Sequence, residues 1–196
     1  MQKEPMAAGQ QSRLSSTGSP AKAPYELRLV SLPLEMARRM LAGNIRAAPV
    51  QLGGVDPVDK PQPRWHPEYP LPDSVDAISM VFAAHHAMTG QIDASPTWWI
   101  HQIVVDDVVV GDIGFHGPPG PERTVEIGYC VVPAWRRRGV ASQACNLILR
   151  QAWQDGAETV VAETDHDNVA SQAVLLANGF RRRSDGIFVI KRPESR

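Results

Sequence analysis

The chain has 196 residues and a formal net charge of −1, with 20 Lys and Arg set against 21 Asp and Glu. That length suits one domain with a full core rather than two, and a near-neutral charge removes the whole-molecule electrostatic case for nucleic acid or a membrane surface. Two cysteines, no run of about eighteen apolar residues and no apolar leader stretch direct the expectation to a cytoplasmic protein without a disulfide framework or a transmembrane helix.

Residues 1–24 are rich in Gln, Ser, Gly, Ala and Pro and nearly devoid of large apolar side chains, so a disordered tail is expected, followed by a single domain over 25–196. Tyr25 to Val30 alternates as a short strand. Pro33 opens a helix to about Leu41, stopped by Gly43 and Asn44. Prolines and glycines recur from Ala47 to Pro72, a long loop that either wraps the domain or faces a substrate. Asp73 or Ser74 caps a helix to about Met88. Trp98 to Val105 and Val108 to Phe115 read as a hairpin turning at Asp106 and Asp107. The Gly/Pro-rich connection over 117–121 leads to Val125 to Val132, a β-rich run that Pro133 ends because proline cannot donate to a sheet ladder. From Gly139 to Gln154, apolar residues at Val140, Ala144, Leu147, Ile148 and Ala152 give one buried helix face. A strand over Glu158 to Thr164, a helix over Asn168 to Ala177, and Phe180 with Ile187 to Ile190 complete an α/β (α+β) fold with a single central sheet flanked by helices.

The stretch Arg136-Arg137-Arg138-Gly139-Val140-Ala141 therefore sits between a strand and a long helix. A helix N-terminus presents unpaired backbone N–H groups and a partial positive charge, a ready site for phosphate. Gly139 lets the backbone approach an anion, Ala141 keeps the first turn open, and the arginines can pair with phosphate oxygens. The arrangement reads as a pyrophosphate cradle, although neither a P-loop nor a dinucleotide glycine motif is present.

The spacing R-x-x-G-x-A at Arg136, Gly139 and Ala141 resembles the acetyl-CoA signature of the GNAT superfamily of N-acetyltransferases. A second block, Asn168 and Ser171 followed by Gly179-Phe180, resembles the next core segment of that superfamily, and the whole pattern is most similar to its RimJ/RimL-like, ribosomal-protein N-terminal acetyltransferase branch. The resemblance is good over residues 98 to 190 and loose over 25 to 97. It implies a mixed, mostly antiparallel sheet, acetyl-CoA as cosubstrate, no metal, and direct transfer of the acetyl group to an amine without a covalent enzyme intermediate. The amine would belong to a protein N-terminus or a small molecule, and dimerisation is an expectation of the same kind. The superfamily's strand is bulged and splays from its neighbour so that the pantetheine arm inserts there, which implies backbone N–H groups around Val131 and Val132 as oxyanion donors. By the same resemblance Val140 joins Arg136 to Ala141 in holding the cosubstrate, and Asn168 binds the pantetheine amide or caps its helix.

Such a transfer needs a base for the amine and an acid for the departing thiolate. Glu126 is the expected base, because it shares one strand face with Gly128, beside which open space should lie; Asp112, Glu163 and a water chain are its rivals. The tyrosine that many relatives carry seven residues after the motif asparagine is here Leu175, which leaves Ser171 as the hydroxyl for the acid role. Cys130 and Cys145 read as buried small hydrophobes, His85-His86 and Asp165-His166-Asp167 as no metal site, and Arg181-Arg182-Arg183 as a solvated turn rather than a 3′-phosphate site. Two other readings stay open: a CoA-binding sensor without turnover, and an acetyltransferase for a polyamine or aminoglycoside.

Overall fold

The structure is a computed structural model in which residues 25–45, 62–89, 98–120 and 122–194 are described; the expected tail and most of the proline-rich segment lie outside them. Strand β1 (Leu27–Ser31) leads into helix α1 (Leu34–Leu41), with Pro33 at its N-cap. Strand β2 (Arg64–Trp65) is followed by helix α2 (Pro72–Thr89). Strands β3 (Ile100–Val105), β4 (Val108–Phe115) and β5 (Thr124–Val131) come next, then a 3₁₀ turn over Pro133–Trp135 and helix α3 (Val140–Gln154). Strand β6 (Thr159–Ala162), helix α4 (Val169–Ala177), β7 (Arg181–Arg182) and β8 (Phe188–Lys191) finish the order. The proline-rich loop thus contributes one short strand, and the strand expected over Glu158 to Thr164 is shorter at both ends.

The eight strands form one sheet in the order β1-β3-β4-β5-β6-β8-β7, with β2 added in parallel against β4. Among the described residues the only other parallel pair is β5 with β6, so the sheet is mixed and mostly antiparallel. The β3–β4 turn has Asp106 at φ 45° and Asp107 at φ 60°, the two positive values that a twisted two-residue hairpin requires. Asp106 Oδ1 accepts the Glu26 N–H at 3.0 Å, and Asp107 pairs with Arg28 at 3.2 Å, which holds edge strand β1 to the turn.

Central strands β3 and β4 are buried along almost their whole length, because helices cover both faces. Alternation along β5 assigns the faces: Cys130 meets Ser74 of α2, while Tyr129 meets Ser171 of α4. Trp99 is fully buried, its indole N–H on the Leu32 carbonyl at 2.7 Å, and Trp98 packs edge-on against Phe115 with centroids 4.8 Å apart. No helix among the described residues is long and apolar enough to cross a membrane.

One expected feature, the splay, and one departure shape the site. Strand β5 pairs with β6 only over Thr124 to Glu126, and beyond Glu126 the two strands diverge. The bulge expected in β5 is absent, since its register with β4 runs unbroken from Gly111↔Val131 to Phe115↔Ile127. The irregularity lies instead in β4, where Ile103 pairs with Gly111 and Val104 with Val109, leaving Val110 as the extra residue.

Candidate functional site

Along β5 the even residues spend their backbone groups on β4: Val132 N–H donates to Val110 at 2.9 Å, and Glu126 accepts from the His116 N–H at 3.0 Å. The backbone groups of Tyr129 and Val131 therefore face the diverging side. Here the expectation for Val132 changes, because its N–H is committed to the sheet, whereas that of Val131 points into the splay. Arg136 caps the far end, its Nε donating to the Val131 carbonyl at 2.8 Å.

The splay opens a cavity of about 390 Å³ lined on one side by Ile127, Gly128 and Tyr129, and on the other by Glu163, Asn168 and Ser171. Asn168 is the N-cap of α4; its Oδ1 accepts the Ser171 N–H at 3.1 Å, so of its two expected roles capping is the one in place. The Ser171 hydroxyl lies 2.8 Å from the Tyr129 hydroxyl. Burial pushes the Tyr129 phenol up to about 12, against the opposing pull of the Ser171 hydrogen bond. It stays protonated at neutral pH and able to donate.

The basic turn follows. Arg137 has φ 58° and Gly139 φ 81°, and Gly139 is the N-cap of α3. Gln143 is the residue whose N–H returns to the Gly139 carbonyl, at 3.0 Å, so the N–H groups of Val140, Ala141 and Ser142 precede the helix's own ladder. A Cβ on Gly139 would meet only the Tyr25 hydroxyl, 3.7 Å away, so the approach to the helix end is open. The Tyr25 hydroxyl donates to the Arg138 carbonyl at 2.7 Å, and the Arg138 guanidinium lies over Trp135 at 5.0 Å. All three arginines are exposed. Arg181 to Arg183 belong instead to strand β7 and its turn, where Arg183 pairs with Asp185 at 2.6 Å and Arg182 covers Phe188.

On the α2 face a second cavity, of about 160 Å³, is lined by Asp73, Asp112, His116, Gly128, Tyr129 and Cys130 among others. Gly128 and Tyr129 line both cavities, so the two meet at that point of β5. Buried Asp112 accepts from the Tyr69 hydroxyl at 2.9 Å and from Cys130 Sγ at 3.4 Å. Burial raises the Asp112 carboxyl, with its hydrogen-bond donors acting the other way. Burial, then the Asp112 charge, raises the Cys130 thiol as well. Cys130 is thus half-buried among polar groups, rather than the small hydrophobe expected; Cys145 is fully buried in α3.

Glu126 is not in the open space expected for it. A Cβ on Gly128 would lie 2.7 Å from His116 Nε2, so the His116 ring fills the space beside that glycine. His116 Nδ1 is 3.1 Å from Glu126 Oε1, and that contact lowers the Glu126 carboxyl. His116 escapes a motif search because it stands just past the end of β4, and only the β4–β5 register brings it opposite Glu126. Tyr129 was legible as a strand residue, but its meeting with Ser171 depends on how α4 packs.

Comparison with known proteins adds independent findings. Residues 58–181 match the family described as Acetyltransferase (GNAT) domain. Two Bacillus subtilis proteins described as uncharacterized N-acetyltransferases, YjdG and YoaA, are 35% and 33% identical to this chain over 75 residues each. Those alignments cover 37% and 38% of this chain and only 44% and 42% of the two relatives. Among solved structures, Mycobacterium smegmatis RimJ, in complex with CoA-disulfide, superposes with a TM-score of 0.52 at 18% identity, covering 84% of this chain and 81% of that one. A putative ribosomal-protein-serine acetyltransferase from Vibrio cholerae gives 0.51 at 15%, covering 85% and 94%. The microcin self-immunity acetyltransferase MccE, in complex with acetyl-CoA and AMP, gives 0.51 at 17%, covering 88% and 97%. At these identities the superpositions establish a shared fold.

Proposed function

The chain belongs to the Acetyltransferase (GNAT) domain family, and from that membership we propose that it moves an acetyl group from acetyl-CoA to a primary amine by direct attack. The observation that carries the reading is the divergence of β5 from β6 after Glu126. It leaves the Tyr129 backbone edge facing a cavity of about 390 Å³, with the Val131 edge next along the strand and close in sequence to the open N-terminus of α3. Val140 and Ala141 N–H groups with Arg137 would hold the pyrophosphate, Val131 N–H would serve the thioester carbonyl, and Asn168 and Ser171 would border the arm. The bound cosubstrate supplies an activated acetyl thioester.

The chain's own groups divide the remaining work. The Glu126–His116 pair on the α2 face removes the amine proton, and the Ser171–Tyr129 hydroxyls on the α4 face protonate the departing sulfur. The acceptor enters from the second cavity, where Asp73 and Asp112 face it. The RimJ-like and ribosomal-protein neighbours favour a peptide N-terminus as the acceptor, and a small amine is the competing choice.

Thiol release from acetyl-CoA, followed against peptides with free N-termini, lysine peptides, polyamines, amino acids and aminoglycosides, tests this reading. Turnover with one class establishes both reaction and acceptor. Silence with every amine, while calorimetry still detects acetyl-CoA, replaces it with a CoA-binding sensor.

A further inference from the structure

We propose that His116 is the catalytic base that takes the proton from the acceptor amine, and that Glu126 is a positioning residue behind it. This assignment rests on the acetyl-transfer reading above.

Three observations carry it. His116 lines the acceptor-side cavity, whereas Glu126 is not among the residues bordering either cavity. The ring covers Gly128 with Nε2 foremost, and Gly128 borders both cavities, so Nε2 stands where acceptor and thioester must meet. The residue is held at two points, its main chain by the N–H donated to the Glu126 carbonyl at 3.0 Å and its ring by Nδ1 at 3.1 Å from Glu126 Oε1. A carboxylate that accepts from Nδ1–H fixes the neutral tautomer with its lone pair on Nε2, directed away from the glutamate.

Chemistry favours the same division. The contact that lowers the Glu126 carboxyl makes it a weaker proton acceptor, while its charge stabilises the imidazolium that forms in front of it. The acceptor reaches the site as an ammonium, since amines of this kind titrate at about 8 to 10.4. One proton passes from it to His116 Nε2 and on to solvent. The freed lone pair then forms the C–N bond, and the C–S electron pair leaves on sulfur. The second proton lost from nitrogen balances the one that sulfur takes through the Ser171–Tyr129 hydroxyls. Gly128 matters because any side chain there would occupy the ring's place.

Two measurements test the assignment. Ring ¹⁵N NMR of the protein without acetyl-CoA, at about pH 9, reads the tautomer directly. His116 is expected with Nδ1 protonated and Nε2 bare, and Glu126→Leu is expected to release the Nε2–H form. A wild-type ring protonated at Nε2 overturns the proposal whatever the activity. The second measurement is kcat and KM for thiol release, with the amine that turns over best in the panel. His116→Gln should lose about 10²–10³-fold in kcat, the usual weight of a general base, with acetyl-CoA affinity unchanged. Glu126→Gln, which keeps an acceptor oxygen for Nδ1, should retain at least tenfold more activity than Glu126→Leu. Equal losses in Gln and Leu variants would return the base role to Glu126, and His116→Gln within threefold of wild type would remove it from His116. Wild-type silence with every amine overturns the acetyl-transfer reading and the base role together, whereas turnover retained by His116→Gln overturns the base role alone.

Discussion

The hydroxyl of Tyr129 lies 2.8 Å from the hydroxyl of Ser171, across the cavity left where β5 parts from β6. The superfamily's tyrosine position in α4 is Leu175 here, fully buried, so a phenol from the neighbouring strand stands beside the serine instead. If the two act as one proton source, their removal is not additive. Tyr129→Phe and Ser171→Ala should each lower kcat by about tenfold or more, and the double variant should be no worse than the poorer single one. Multiplying losses in steady-state kinetics would separate their roles.

Gly128→Ala tests the packing beside that tyrosine. The added methyl would fall 2.7 Å from His116 Nε2, and the ring, at the end of a side chain, can swing aside at the expense of its contact with Glu126. Gly128 has no positive φ, so alanine fits the backbone. Thermal stability should change little while kcat falls by about tenfold or more, as misplacement of a reacting group by an ångström is costly. Unaltered turnover would show that the ring's position is unimportant.

Gly139→Glu places a carboxylate at the left-handed N-cap of α3, at φ 81°. A glutamate there costs about 1–2 kcal/mol of backbone strain, and its charge opposes an incoming phosphate. Gly139→Asn, which tolerates that conformation, separates the two effects. Calorimetry should give acetyl-CoA affinity at least tenfold weaker for Glu and far closer to wild type for Asn. Equal affinities for both would remove the cradle.

Asp112 yields a pH prediction. Its carboxyl is raised in the folded protein, so the native state holds this proton more tightly than the unfolded chain does. Stability from this group is therefore present below the ordinary aspartate value of about 3.9 and is lost as pH climbs from there through the raised value. Asp112→Asn removes that dependence. Urea midpoints should shift in favour of the variant as pH goes from about 4 to about 7, and a constant difference would mean that the carboxyl titrates normally.

Much of this was legible in the sequence, for identifiable reasons. Proline and glycine punctuate the chain, so Pro33, Pro133 and Gly139 marked element boundaries to within a residue or so. The Asp106–Asp107 hairpin was readable because its two positive φ values favour that residue type. The place of the basic turn was readable because it is local, a few residues between one strand and one helix. The contents of the acceptor cavity were not. His116 meets Glu126 only through the β4–β5 register, and Tyr69, Ser74, Asp112 and Cys130 converge from four different elements or loops. Alternation told which residues share a face of β5, but not that a ring from beyond β4 would be laid over it.

That alternation has a consequence for how such a chain can vary. Strand β5 is a partition one residue thick, with Glu126, Gly128 and Cys130 on its α2 face and Ile127, Tyr129 and Val131 on its α4 face. Substitution at one of these positions changes a side chain on one face and leaves the next residue on the opposite face in place. Deletion or insertion of a single residue between Glu126 and Tyr129 would reverse the downstream half of the wall, carrying the phenol into the acceptor chamber and the glycine gap out of it. Point replacement is therefore the accessible route to a new acceptor, while the count of residues along this strand is held fixed by two chemistries that share a single backbone.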